Sequence, residues 1–271
     1  MAMLELPDAA IFYEQTGSGP DIVWLAGGDM PGSSWREFQI PAFGDYRNTT
    51  YDARGIGGTT SRRAPPWPIP VFAEDCIRLI EAACRPPVFL VGLSLGSLIG
   101  QEVCLTRPDL VRAAVLTGTR SRMSGFLHDW ESAEIAFRRA GGTLPRDFAI
   151  IHYALQMYPS EVLGDDALWA RIKPLVSRSY GERDGHELAA QWEACLQYDS
   201  LARLPSCRVP LHVVAFSHDV QTPPARGREV AETAPQGHFH LLEGLGHCSA
   251  FGHRPDEVNA CIRGILAGYR D

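Results

Sequence analysis

The sequence predicts an α/β fold in which helices cover both faces of a mostly parallel sheet. Short, wholly apolar runs at residues 22–25, 88–91 and 113–116 are typical of strands buried on both sides of such a sheet. Helical segments lie between successive runs, which is the βαβ order of a layered α/β domain. A long helical stretch interrupts this order, so we expect a core with an insertion.

The first half of the chain supplies most of the predicted sheet. Five strands are predicted there, at residues 10–14, 22–25, 49–51, 88–91 and 113–116. Helices are predicted over about residues 71–84 and 95–106. The second helix ends before Arg107-Pro108, because proline disfavours a helical residue ahead of it.

The order changes between about residues 121 and 204, where the pattern is helical. Strand patterns return at residues 209–216 and 238–242, and a last helix is predicted at about residues 256–269. The sequence thus predicts one α/β core, made of residues 1–120 and 205–271. It also predicts a helical cap made of residues 121–204.

Charge and composition restrict the partners. The formal net charge of −7 repels the phosphates of nucleic acids and anionic membranes, so we expect neither as a partner. Residues 1–10 lack the basic and apolar regions of a secretion signal. The longest apolar stretch, residues 88–100, is too short to span a bilayer. We expect a cytoplasmic protein that binds a small molecule, and the oligomeric state stays open.

The seven cysteines do not form a recognisable set. Their number is odd and no two have C-x-x-C spacing, so we expect neither a disulfide framework nor a zinc site. Several lie within apolar segments, which is typical of small buried side chains in a reducing compartment. We therefore expect no metal and no cofactor.

A G-x-S-x-G motif, Gly92-Leu93-Ser94-Leu95-Gly96, lies between a predicted strand and a predicted helix. This setting presents a serine hydroxyl above the sheet edge, and the glycines remove side chains that would collide with neighbouring backbone. The start of the following helix favours negative charge, so we expect the N–H of Leu95 to stabilise an oxyanion. We interpret Ser94 as a nucleophile.

Further motifs resemble those of the α/β-hydrolase superfamily and occur in its order. They are Leu25-Ala26-Gly27-Gly28 with Pro31-Gly32-Ser33-Ser34-Trp35, Tyr51-Asp52-Ala53-Arg54-Gly55-Ile56-Gly57-Gly58-Thr59, and Ser217-His218-Asp219 with Gly244-Leu245-Gly246-His247. The resemblance covers nearly the whole core and is weak over the helical insertion. The pattern is most similar to serine esterases and enol-lactonase-like members of the superfamily.

The resemblance implies the remaining site residues. Ser94, Asp219 and His247 follow one another in the order of nucleophile, acid and base that this fold uses. Asp219 and His247 each follow a predicted strand, so we expect both at the carboxyl edge of the sheet, where ligands bind. His247 is then the general base and Asp219 the acid that orients it. The family's loop after the third strand implies the N–H of Gly28 as the second oxyanion donor.

Other polar residues are interpreted as structural. Asp52 and Arg54 resemble a family motif that shapes a turn, and we interpret them as an ion pair that holds a loop. His238 and His240 alternate on one predicted strand and could share a face. No third ligand indicates a metal there, so packed or surface histidines are the favoured interpretation.

The predicted cap carries large apolar residues that are candidates for a substrate pocket above Ser94. They are Met123, Phe126, Trp130, Trp169 and Trp192. For each one taken alone, packing inside the cap is the commoner role.

Together these residues predict a serine hydrolase that forms an acyl-enzyme on Ser94. Its substrate would be an ester, lactone or thioester of a partly hydrophobic small molecule. One alternative is a non-hydrolytic, carbon–carbon-cleaving or acyl-transferring enzyme with the same three residues. Another is a non-catalytic receptor for a small ligand.

Overall fold

The computed structural model describes residues 1–179 and 185–270 of the chain. Within them, nine strands form one sheet: β1 (Ala2–Glu5), β2 (Ala9–Thr16), β3 (Asp21–Leu25), β4 (Arg47–Tyr51), β5 (Thr60–Ser61), β6 (Val88–Leu93), β7 (Val111–Thr117), β8 (Leu211–Phe216) and β9 (Gly237–Leu242). The α-helices of the same residues are α1 (Ile69–Ala83), α2 (Leu95–Thr106), α3 (Phe126–Arg139), α4 (Arg146–Met157), α5 (Ser160–Gly164), α6 (Asp166–Ser179), α7 (Gly185–Gln197), α8 (Pro224–Thr233) and α9 (Pro255–Ala267).

The sheet has the order β1-β2-β4-β3-β6-β7-β8-β9, with β5 beside β2. The pairs that involve β2 are antiparallel, and every pair from β4–β3 to β8–β9 is parallel. The predicted mostly parallel sheet is therefore confirmed. Parallel neighbours bring the carboxyl ends of β3, β6, β7, β8 and β9 to one edge, where this class of sheet binds ligands.

The central strand β6 shows why the predicted strands are apolar throughout. Val88 and Leu90 pack into one hydrophobic layer, together with residues of α1, α2 and α8. Phe89, Val91 and Leu93 point to the other face and pack with residues of α9. Because both faces of the strand are covered, alternation between apolar and polar residues is absent.

Three elements outside the helical insertion were not expected from the sequence, and a fourth is shorter than predicted. The strand β1 is largely exposed at the sheet edge and β5 has only two residues, so neither carries an apolar run that the sequence could reveal. The helix α8 was also not expected. The strand predicted at residues 209–216 begins only at Leu211. Pro210 precedes it and has no N–H to donate to a ladder, which shortens the strand.

The helices α3 to α7 all lie between β7 and β8 in the chain, where the insertion was predicted. The helix α3 packs against α7, and both α4 and α5 pack against α6. The carbonyl of Met157, at the end of α4, accepts the N–H of Cys248 in the loop after β9 at 2.9 Å. This bond brings the helical segment to the carboxyl edge of the sheet. None of the helices in residues 1–179 and 185–270 has both the length and the hydropathy of a membrane-spanning segment.

Asp52 and Arg54 do not form the expected ion pair. The Nε of Arg54 donates to Oδ2 of Asp75 at 2.7 Å, whereas Asp52 accepts the N–H groups of Gly32 and Gly58, each at 2.7 Å. The interpretation of the two as partners is wrong, because the buried Asp75 of α1 needs a counter-charge and takes the guanidinium. Both residues still hold loops.

His212 on β8 lies within a cluster of ring side chains. Its Nδ1 is 3.0 Å from Nε2 of His240, and its Nε2 is 2.9 Å from the hydroxyl of Tyr269. Its ring stacks on His238 with centroids 4.5 Å apart. Among the described residues, no group of three or more histidine, cysteine, aspartate or glutamate side chains is placed so that it could hold a metal ion.

We expect His212 to account for part of the acid sensitivity of the fold. Burial, followed by the neighbouring His238 and His240, lowers the pKa of His212 to about 4, whereas an unfolded imidazole titrates near about 6.5. Between these values the unfolded chain binds the extra proton, so the free energy of unfolding falls as the pH falls. The His212→Gln variant should lose about 1–2 kcal/mol less stability than wild type between about pH 7 and about pH 4.5. Urea unfolding at both pH values measures the free energy of unfolding of each protein. An equal loss of stability in wild type and variant between the two pH values would contradict the prediction.

Candidate active site

Ser94 occupies a strained turn between β6 and α2. Its φ of 52° and ψ of −119° lie in a region that residues with a side chain rarely adopt. A Cβ on Gly92 would lie 2.6 Å from the carbonyl oxygen of Gly96, and one on Gly96 would lie 2.1 Å from that of Leu25. Positions 92 and 96 must therefore both be glycine for the turn to form. The turn lies between a strand and a helix, as the G-x-S-x-G motif predicts, and the role of Ser94 as nucleophile stays a prediction.

Asp219 and His247 meet at the carboxyl edge of the sheet. Asp219 follows β8 and His247 follows β9, and Nδ1 of His247 lies 2.7 Å from Oδ2 of Asp219. Both side chains are buried, with 3% and 4% of each residue exposed. An imidazole held this way keeps its second nitrogen, Nε2, free to face another group.

The carboxylate of Asp219 is held by its own loop as well as by the imidazole. Its Oδ1 accepts the N–H groups of Gln221 and Thr222, each at 2.8 Å. Its Oδ2 accepts the hydroxyl of Thr222 at 2.7 Å, and that hydroxyl lies 3.3 Å from Nδ1 of His247. Hydrogen bonds to both oxygens fix the orientation of the carboxylate. Thr222 is a site residue that the sequence analysis did not single out.

Gly118, just after β7, makes room for the imidazole. It has a φ of 54°, and a Cβ there would lie 2.8 Å from Cε1 of His247. A residue with a side chain would be strained at this φ and would also displace the ring. The end of β7 therefore supplies space to the site, and the acid comes from the end of β8.

Ser94 and His247 line one cavity of about 490 Å³, with Gly28 and Thr222 also on its wall. Residues that are far apart in the sequence thus converge on a single space, with Asp219 behind His247. The Cys248 thiol on the same wall has its pKa raised by burial to about 12, so it is protonated near neutral pH. The serine is the better placed nucleophile.

The two predicted oxyanion donors come from different elements, the start of α2 and the loop after β3. Leu95 is the first residue of α2, so its N–H lies ahead of the first carbonyl acceptor within the helix and at the positive end of its dipole. Gly28 lies in the loop after β3 and lines the cavity. The use of both N–H groups to bind an oxyanion stays a prediction.

Gln191 of α7 connects the cap to the loop that carries Gly28. This side chain is fully buried; its Oε1 accepts the N–H of Asp29 at 3.0 Å, and its Nε2 donates to the carbonyl of Arg54 at 2.7 Å. One amide thus joins two core loops. The sequence analysis missed it, because a glutamine within a helix is usually on the surface.

We expect Gln191→Leu to lower kcat by about tenfold or more, with a smaller change in KM. Both hydrogen bonds disappear, and the loop with Gly28 loses a support close to the predicted oxyanion donor. Steady-state kinetics on any ester that is turned over measure the two constants separately. The control is Gln197→Leu, at the exposed end of the same helix. A pure KM effect, or an equal effect in the control, would contradict the assigned role.

The predicted pocket residues divide into two groups. Trp130 and Trp192 line the cavity, whereas Met123, Phe126 and Trp169 are absent from its described wall. Phe126 begins α3 at the surface and is 76% exposed, and Trp169 packs against the hydrophobic core. The prediction is therefore wrong for these three, because their positions in the insertion direct them to solvent, a loop or the core.

Ionisable residues also line the same cavity. They are Arg120, Glu131, Glu134, Arg138 and His152. The sequence signal for the three from α3 is their helical spacing, which puts them on one face.

The fold and the serine turn define the class of protein. Residues 22–261 match the family model of the alpha/beta hydrolases, and the chain belongs to that family, which confirms the predicted resemblance. BpoC of Mycobacterium tuberculosis, which carries the name non-heme bromoperoxidase, is 31% identical over 260 residues, or 95% of this chain and 98% of BpoC. The crystal structure of BpoC matches with a TM-score of 0.90 at 30% identity, over 96% of both chains.

Other relatives carry the names of hydrolases. RutD of Azorhizobium caulinodans, named as a carbamate hydrolase, is 26% identical over 261 residues, or 95% of each chain. The enol-lactonase of Burkholderia xenovorans LB400 matches in structure with a TM-score of 0.86 at 20% identity, over 98% of this chain and all 100% of that chain. At this level of identity the likeness shows the fold alone.

Proposed function

We propose that the protein is a serine hydrolase that cleaves a carboxylic ester, lactone or thioester through an acyl-enzyme on Ser94. The observation that carries the proposal is the 2.7 Å contact between His247 and Asp219 beside the cavity that Ser94 lines. A nucleophile, a base and an orienting acid at one cavity are the requirements of this chemistry. The family and its hydrolase-named relatives support the same conclusion.

The first half of the reaction forms the acyl-enzyme. The oxygen of Ser94 attacks the carbonyl carbon of the substrate while its proton passes to Nε2 of His247. Asp219 keeps the Nδ1–H of the ring and stabilises the imidazolium that forms. The N–H groups of Gly28 and Leu95 bind the oxyanion. Collapse of the tetrahedral intermediate returns the proton to the leaving alcohol or thiol.

The second half releases the acid. His247 takes a proton from a water molecule, which attacks the acyl carbon of the ester on Ser94. A second oxyanion forms at the same N–H groups and collapses, and the proton returns to the serine oxygen. The enzyme is then restored, with one water consumed for each bond cleaved.

The cavity favours a partly hydrophobic small molecule. Its wall includes Trp130 and Trp192 together with Leu127 and Leu144, and about 490 Å³ is the size of an ordinary small-ligand site. The negative formal charge of −7 supports neither nucleic acid nor an anionic membrane as a partner. We propose a small substrate in the cytoplasm.

A second candidate function concerns what attacks the acyl-enzyme. Hydrogen peroxide in place of water would give a peroxy acid and free Ser94, and the name of BpoC makes this exchange worth testing. An alcohol in place of water would make the protein an acyltransferase. Cleavage of a carbon–carbon bond by the same three residues is a further variant. A receptor without turnover would bind esters in the cavity and release them unchanged.

A panel of p-nitrophenyl esters of increasing acyl length, together with lactones, tests the proposal. We expect turnover of at least one class, and in ¹⁸O-labelled water one label should enter the released acid. Labelled acid separates hydrolysis from transfer to an added alcohol or to peroxide. Turnover of no ester, thioester or lactone, despite measurable binding, would contradict the proposal and favour the receptor.

A further inference from the structure

The cavity beside Ser94 carries more charge than a hydrophobic acyl pocket needs. Most of the ionisable side chains on its wall face one another in pairs. Arg120 faces Glu131 with nitrogen and oxygen 3.5 Å apart, and His152 faces Glu134 at the same distance. Arg138 is the remaining arginine on the wall that the described residues form.

Arg138 has an aromatic partner in place of a carboxylate. Its guanidinium carbon lies 4.4 Å from the ring centroid of Trp192, and within the described residues no ion pair or hydrogen bond of its side chain occurs. Its Nε is buried without a hydrogen-bond partner. The adjacent Arg139 points elsewhere and pairs with Glu193. The N–H groups of the Arg138 guanidinium are thus available to bind a group that enters the cavity.

Arg120 adds a second guanidinium on the same wall. It is 4% exposed, and one of its terminal nitrogens donates to the carbonyl of Cys195 at 3.3 Å. Its Nε is also buried without a hydrogen-bond partner in the part of the chain that the structure describes. Burial raises the pKa of Glu131, and the charge of Arg120 opposes that shift. Buried donors without partners are rare in native proteins, and a bound ligand is one explanation.

The cavity wall thus combines two kinds of chemistry. Ser94 and His247 are on this wall, and so is Arg138, whose guanidinium stacks on Trp192. Arginine presents a planar fork of N–H groups that matches a carboxylate, and an aromatic face beside it excludes water from the contact.

We propose that Arg138, supported by Arg120, binds a carboxylate carried by the substrate at a distance from its ester bond. The preferred substrates are then half-esters of dicarboxylic acids, or lactones with a carboxylate side chain. This inference rests on the proposed ester hydrolysis. The competing interpretation is that Arg138 is purely structural, packs on Trp192 and binds no ligand.

Binding to a Ser94→Ala protein tests the subsite without turnover. The probes are monomethyl adipate and methyl hexanoate, which are similar in length and differ in the terminal carboxylate. Calorimetry should show tighter binding of monomethyl adipate, and Arg138→Leu in this background should weaken it by about 10- to 100-fold. Binding of methyl hexanoate should change by less than about threefold. Arg138→Lys should recover part of the affinity, because it keeps the charge but not the fork.

The matched control is Arg139→Leu, which removes a neighbouring arginine that is paired outside the cavity. It should leave the binding of both probes unchanged. Equal loss for both probes in Arg138→Leu, equal loss in the control, or no measurable binding of monomethyl adipate to Ser94→Ala would overturn the inference.

Turnover by the wild type separates this inference from the proposed function. If neutral p-nitrophenyl esters are hydrolysed but Arg138→Leu does not alter the binding of the half-ester, the subsite is wrong and the hydrolase stands. If the half-ester binds through Arg138 but no ester is turned over, the subsite stands and the hydrolase is wrong.

Discussion

Replacing Ser94 by alanine is expected to lower kcat for ester hydrolysis by about 10⁴-fold or more. The variant has no oxygen to form the acyl-enzyme, and water alone must attack the substrate. Alanine fits the turn as well as serine does, because the turn depends on backbone bonds. The N–H of Ser94 donates to Thr117 at 3.1 Å, and its carbonyl accepts the N–H of Ser97 at 2.8 Å.

The measurement is kcat with the best ester of the panel, made alongside the melting temperature and the far-ultraviolet dichroism of each protein. Ser124→Ala is the matched control, because Ser124 is a half-buried serine outside the described cavity wall. It should retain activity within about threefold of wild type. A folded Ser94→Ala protein that keeps more than about a tenth of the activity would contradict the role of Ser94.

Asp219→Asn is expected to lower kcat by about 10⁴-fold as well, for a different reason. The asparagine oxygen can still accept the N–H groups of Gln221 and Thr222, so the loop keeps its shape. Its NH₂ group then takes the place of Oδ2 and donates to Nδ1 of His247. The proton of the neutral ring moves to Nε2, which can no longer accept the proton of Ser94.

The kinetics of Asp219→Asn are to be followed as a function of pH, with the melting temperature as the measure of folding. Thr222→Val is the comparison, because it removes one donor to Asp219 and leaves the carboxylate in contact with His247. We expect the valine variant to lose about tenfold or less. Similar activities for the two variants would show that Asp219 does not set the tautomer of the imidazole.

The turn at Ser94 and the sheet are predictable from sequence because the residues that cause them are close together in the chain. The glycines that make room for the turn at Ser94 are within two residues of it, and the apolar strand precedes it directly. Asp219 and His247 were placed by a simple rule, since each follows a strand and parallel strands end at one edge.

The supporting residues could not be predicted, because their roles come from contacts across the fold. Gln191 and Asp29 are 162 positions apart, and nothing near Gln191 in the sequence distinguishes it from a surface glutamine. Arg54 and Asp75 come into contact only when α1 packs against the sheet. The same limit explains Phe126, because helical spacing gives the face of a helix and does not say where the helix meets the surface.

The central claim is that the oxygen of Ser94 is an activated nucleophile, and covalent labelling by a fluorophosphonate tests it most directly. Intact mass and peptide mapping should show one phosphonyl group per chain, attached to Ser94. The adduct should be absent from Ser94→Ala and should form much more slowly in Asp219→Asn. A wild-type protein that stays unlabelled, or that carries the group on another residue, would contradict the account.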